Sequence, residues 1–257
     1  MKVQLLPSTF DENGRVSLRQ HLTCFVIYDL IAFDAGSLAM GCTDRHKQTI
    51  RDIVISHAHL DHIAGLPLFI DDLFARIEEP VRIHAIPQVI EALERDVFNW
   101  TIYPRFSELQ NKYGAVMRYI PFAPESSFRV GHLRIRSVDV NHKVPGTGFV
   151  ITDDNASIGI TGDTAELGGF WDVVNNVDEL SAVLIECAFP NELAGLAADS
   201  HHLTPSGLER EIEKIERDCP IYIINIKPMY RETTIRQIMD LRVDRLQILE
   251  VGKVYHF

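Results

Sequence analysis

The chain has 257 residues, 46% apolar and 24% charged, with 25 basic against 36 acidic side chains and a formal net charge of −11. Those fractions exclude disordered, collagen-like and fibrous classes, and the length is enough to bury a substantial core. So acidic a surface repels phosphate backbones, which argues against long nucleic acid; a small anion is admissible where local positive charge outweighs the field. The longest apolar stretch, Ile63 to Ile70, is too short to cross a membrane. The opening Met1–Pro7 lacks the apolar core of a signal peptide, so a cytoplasmic location is expected. Cys24, Cys42, Cys187 and Cys219 are widely spaced, which argues against a disulfide scaffold and a zinc ribbon.

Taken in order, Thr23–Tyr28 and Leu30–Phe33 predict two strands broken at Tyr28-Asp29 and ending at Asp34-Ala-Gly. Asp52–His57 predicts a buried strand running into a polar loop, with a helix opening near Ala64-Gly65. Val81–Ala85 predicts another strand, followed by a helix from Pro87, where proline suits the first helical position. Leu133–Val140 alternates cleanly. Phe149–Thr152 and Ser157–Thr161 flank Asp153-Asp-Asn and predict a hairpin. Ala182–Glu186 and Ile221–Ile226 are continuous apolar runs, typical of strands covered on both faces. Thr204-Pro205 opens a helix expected to reach Arg217, with Leu208, Ile212 and Ile215 on one face, and a second helix begins near Glu232. With no linker in the composition, the expectation is a single layered α/β domain over residues 1–257.

Chemistry concentrates in Ser56-His-Ala-His-Leu-Asp-His62. In an extended segment alternate side chains share a face, so His57, His59 and Asp61 point together, and His62 joins once the chain turns. Imidazole and carboxylate suit zinc, manganese or iron, and the set exceeds what one tetrahedral site needs.

This segment resembles the His-x-His-x-Asp-His signature of the metallo-β-lactamase superfamily, whose pattern continues in Val138-Asp-Val-Asn-His142 and Thr161-Gly-Asp163. Asp96–Pro104, Ile185–Asn191, His202-Leu-Thr-Pro205 and Ile226-Lys-Pro228 resemble, more narrowly, the class II cyclic-nucleotide phosphodiesterases. The similarity runs from Phe33-Asp-Ala-Gly-Ser37 to Lys227-Pro228. It implies a four-layer αββα sandwich and two divalent metal ions, zinc by preference, with Mn²⁺, Fe²⁺ or Mg²⁺ as alternatives. His57, His59 and His142 would hold one ion, Asp61 and His62 would help hold the second, and Asp163 would bridge them. Such a pair makes the site locally cationic inside an acidic protein.

One departure stands out. The family's His-x-Lys-Pro segment reads Asn225-Ile-Lys-Pro here, which places a weaker carboxamide at the expected imidazole. The second ion is then looser, harder or absent, or His201 substitutes. Related tRNA 3′-processing enzymes place a strand-end Glu and a later His behind the metals, and Glu186 and His202 match those places. The expected catalytic set is therefore Asp61, Glu186 and His202. Phe98, Trp100, Tyr103 and Phe106 form either core or a wall that stacks on a nucleobase, with Phe98 and Trp100 the candidates for contact. Lys227 is a candidate for a phosphate oxygen.

The resemblance implies hydrolysis of a small phosphodiester, a 3′,5′-cyclic nucleotide such as cyclic AMP, by a metal-bound hydroxide formed at about neutral pH. Endonuclease action on tRNA 3′ ends and a non-catalytic, single-metal nucleotide-binding role are the alternatives. No membrane partner is expected, and a homodimer is open as the assembly.

Overall fold

Two seven-stranded sheets account for most of the strands in the structure, a computed structural model that describes residues 1–257. They belong to two compact units. One is Lys2–Ala123 with Val251–Tyr255; the other is Pro124–Glu250 with Met1 and His256–Phe257.

The first sheet has the order Val254–His256, Lys2–Leu5, Phe25–Ile27, Ile31–Phe33, Asp52–Val54, Val81–Ala85, Met117–Pro121. Its strands are antiparallel up to Ile31–Phe33 and parallel from there on. The predicted break at Tyr28-Asp29 is a tight turn. Both residues have positive φ (57° and 59°) and the Leu30 N–H donates to Ile27 O at 3.0 Å, the mirror-type geometry that suits hairpins. Helix Gly65–Leu73 buries Leu66, Phe69 and Ile70. Helix Pro87–Ala92 starts at its proline and runs into a wider turn over Leu93–Val97.

The second sheet has the order Leu246–Ile248, Ile221–Ile224, Leu180–Glu186, Ser157–Ile160, Thr147–Thr152, Leu133–Asp139, Ser127–Val130. In this order its strands are parallel up to Ser157–Ile160 and antiparallel from there on. The Asp153 carboxylate accepts from the N–H groups of Asn155 and Ala156 and closes the predicted hairpin. Phe170, Val174, Leu208, Ile212 and Ile238, from three helices, pack in one apolar cluster with Val183, Ile185, Ile221 and Ile223 of the central strands. The helix at Pro205 is shorter than expected and ends at Ile212. Lys214 and Ile215 donate to carbonyls three residues back, at Glu211 and Ile212, so a tightened turn seats Ile215 in the core without more helix.

In both sheets the chain leaves its parallel strands at their carboxyl ends as loops, the place where open α/β sheets gather ligands. Asp34 and His57 lie on such loops in the first unit, and Asp163 and Asn225 in the second, with Glu186 as the last residue of its strand.

Candidate active site

In the first unit, Asp34 follows Ile31–Phe33 in a left-handed conformation (φ 58°) and is buried. Its carboxylate accepts from Ser56 N at 2.8 Å, from Ser56 Oγ at 2.9 Å and from His62 Nδ1 at 2.7 Å. An ionised carboxylate only accepts, so the Ser56 hydroxyl spends its proton on Asp34. Its oxygen, 3.0 Å from His57 Nδ1, must then accept from that ring. Both histidines therefore carry the proton on Nδ1 and turn the Nε2 lone pair to the ligand side, the usual second partner of a metal-binding imidazole. The rings of His57 and His62 lie 4.1 Å apart and those of His57 and His59 4.7 Å, so this loop does bring the three together. His59 precedes the short helix Leu60–Ile63, and Asp61 is half-buried in its first turn. The loop is clamped through its backbone: Thr23 N donates to Asp61 O at 2.8 Å and Ala35 N to His62 O at 2.7 Å. Only glycine fits at Gly36, where a Cβ would lie 1.9 Å from Asp61 O.

In the second unit, the Glu186 carboxylate is wholly buried and accepts four hydrogen bonds. They come from Thr164 N (2.7 Å), Ala188 N (3.1 Å), Leu203 N (3.2 Å) and His202 Nδ1 (2.7 Å). Burial pushes the Glu186 carboxyl up, against the pull of His202. Burial alone would lower His202, but the carboxylates of Glu186 and Asp163 outweigh it and raise its pKa, while the Lys227 ammonium opposes them. His202 Nε2 is 4.0 Å from Asp163 Oδ2. Gly162, at φ 63°, turns the chain into buried Asp163. His142 Nδ1 lies 3.2 Å from the His201 carbonyl, which accepts its proton and leaves Nε2 as the basic nitrogen. One ligand atom each from His142, Asp163 and His202 lies within 4.8 Å of the others.

Several expectations change at this point. Phe98 is 0% exposed, with its ring edge-on to Phe106, and belongs to an aromatic cluster with Phe74 and Tyr103; it has no face to give a substrate. Trp100, 57% exposed, keeps one. His201 is in none of the groups of His and Asp ligand atoms that lie within 4.8 Å of one another; its Nδ1 bonds to Asn141 Oδ1 at 3.0 Å and its carbonyl serves His142. Asn225 donates from Nδ2 to Asp163 Oδ1. Asp34 and Ser56, which set two tautomers, carry no role in the sequence reading; the sole signal for Asp34 is an Asp-Ala-Gly after an apolar run.

Imidazoles with fixed Nδ1 protons, set among carboxylates, suit a divalent cation of the zinc type. Residues 32–222 match a family model described as "Beta-lactamase superfamily domain". The chain belongs to the metallo-β-lactamase superfamily, a hydrolase family. Among its superfamily relatives is a probable 3′,5′-cyclic-nucleotide phosphodiesterase of Yersinia pestis, 26% identical over 211 residues, covering 72% of this chain and 60% of that protein. A chloroplastic tRNase Z of Arabidopsis thaliana is 28% identical over 141 residues, covering 53% and 36%. The chain thus spans less than two thirds of the length of these curated relatives. The crystal structure of unliganded yeast PDE1 superposes with a TM-score of 0.77 over 98% of both chains at 16% identity, and that of the metallo-β-lactamase fold protein YhfI from Bacillus subtilis with 0.74 over 99% of both chains at 17% identity, which establishes the fold expected from the sequence. No helix is long and apolar enough to cross a membrane.

Proposed function

We propose that this superfamily member is a metal-dependent phosphodiesterase whose substrate is a 3′,5′-cyclic nucleotide. The observation that carries the reading is the Glu186–His202 pair beside Asp163: a held proton donor next to a cation-binding carboxylate is what cleavage of a poor alkoxide leaving group needs. In this reading residues 1–257 act as one hydrolase domain, with His57, His59, His62 and Asp61 of the first unit and His142 and Asp163 of the second as the ligands for divalent metal. When bound, a divalent ion supplies Lewis-acid charge for the phosphoryl oxygens and lowers the pKa of water toward about 7. Lys227, near enough to His202 to oppose its protonation, offers its ammonium to a phosphate oxygen. Glu186 keeps the Nδ1 proton of His202, so the Nε2 proton goes to the ribose oxygen as the phosphorus–oxygen bond breaks. Trp100 offers a face to the base. Four free thiols, three of them buried, fit a reducing compartment, and we place the chain in the cytoplasm.

A second reading, endonuclease action on tRNA 3′ ends, is favoured by the match to the Arabidopsis tRNase Z and opposed by the −11 charge. Chelator-treated protein, before and after zinc or manganese is restored, separates the readings on cyclic AMP, cyclic GMP and a precursor tRNA. Metal-restored turnover of a cyclic nucleotide is the expected result. Cleavage of the tRNA alone supports the second reading, and metal binding without any turnover supports a nucleotide-binding role.

A further inference from the structure

Asn225 is placed to aim a ligand. It follows strand Ile221–Ile224, is 5% exposed and has a left-handed φ of 59°. Its Nδ2 donates to Asp163 Oδ1. Because a carboxylate only accepts, this contact determines which end of the carboxamide faces Asp163. It is the amide nitrogen, whose lone pair is delocalised and not available to a cation. Asp163 has its Oδ1 engaged by that N–H, and its Oδ2 lies on the His202 side. Position 225 thus turns a donor N–H to Asp163, and the lone pairs it has left are those of a carboxamide oxygen, a weaker partner for zinc than imidazole.

We infer that this chain holds one tightly bound divalent ion, with Asn225 as a positioning residue that turns Asp163 toward it. The inference rests on the metal-dependent reading above and narrows it. Its chemical content is a count: an imidazole at position 225 would add a strong zinc ligand, and a carboxamide whose N–H is spent on Asp163 does not.

The test uses the full chain and zinc alone. Protein freed of metal is loaded with excess Zn²⁺, passed through a desalting column and assayed for zinc per chain by mass spectrometry, with affinities from competition against a chromophoric chelator. Wild type is expected to keep one zinc. Asn225→His is expected to keep two, since imidazole supplies the missing lone pair and histidine is among the residues tolerated at positive φ. Asn225→Ala is expected to weaken the retained ion about 10–100-fold while circular dichroism stays unchanged, the mark of a lost positioning contact. Two tight ions in wild type overturn the inference and leave the phosphodiesterase reading standing, whereas no zinc at all removes the metal reading with it. An Asn225→His chain that folds and still holds one ion overturns the inference too. Should that variant not fold, the wild-type count and the Asn225→Ala affinity decide alone.

Discussion

Asp34 in one unit and Glu186 in the other each hold an imidazole Nδ1 at 2.7 Å from a buried carboxylate at the carboxyl end of a parallel strand, yet they spend the rest of their accepting capacity differently. The other donors to Asp34 are the backbone N–H and hydroxyl of Ser56, and the hydroxyl passes the effect on to His57. Every bond there ends in the orientation of an imidazole lone pair. Glu186 instead takes backbone N–H groups from Thr164, Ala188 and Leu203, so it stitches three chain segments together while it holds His202. By our reading, the same pairing of groups therefore serves metal affinity in one place and proton delivery in the other. What separates them is the company each carboxylate keeps.

The largest effect should come from His202→Ala. Cyclic-nucleotide turnover is expected to fall about 10²–10⁴-fold, with a much smaller loss on bis(p-nitrophenyl) phosphate, whose leaving group needs little acid help. Zinc content should be retained. Equal losses on the two substrates would erase the functional contrast between the pairs.

Asp34→Asn should act on the other side of the contrast. An amide cannot accept from Ser56 and His62 as the carboxylate does, so zinc affinity should drop about 10–100-fold, and any rate loss should be the same for both leaving groups. Unchanged zinc affinity in a chelator competition would show that Asp34 serves the fold alone.

The smallest effect belongs to a carboxylate–imidazole pair outside both sites, Asp52 with His84 and Arg82 (2.8 Å to His84 Nε2, 2.7 Å to Arg82 Nε). Burial works against its ionisation, but the bonds from Arg82 and His84 hold the Asp52 carboxyl well below the usual carboxylate range. A depressed carboxyl contributes stability above its unfolded pKa of about 4 and loses it as the pH falls further. Asp52→Asn should cost about 1 kcal/mol at neutral pH, with zinc binding untouched. The difference in urea midpoint between the two chains should shrink below about pH 4.

The histidine loop was legible because its residues are near neighbours: alternation after an apolar strand places His57 and His59 together whatever the rest of the chain does. His202 and Glu186 were legible from their resemblance to the tRNA 3′-processing enzymes, although 16 residues separate them. Phe98 was ambiguous because aromatic spacing is the same for a core as for a binding wall, and only its packing on Phe106 distinguishes the two. Asp34 escaped because its partners, Ser56 and His62, are 22 and 28 residues away.

Residue order and hydrophobic alternation set the strands, the loops at their ends and the kinds of ligand those loops carry, since each depends on residues within a turn or two. Which ring nitrogen holds a proton depends on a hydrogen bond donated or accepted by a group far along the chain. So does whether a carboxamide ligates or donates: Asn225 meets Asp163 across 62 residues. Hydrogen bonds are directional and short, and folding alone brings such partners within reach.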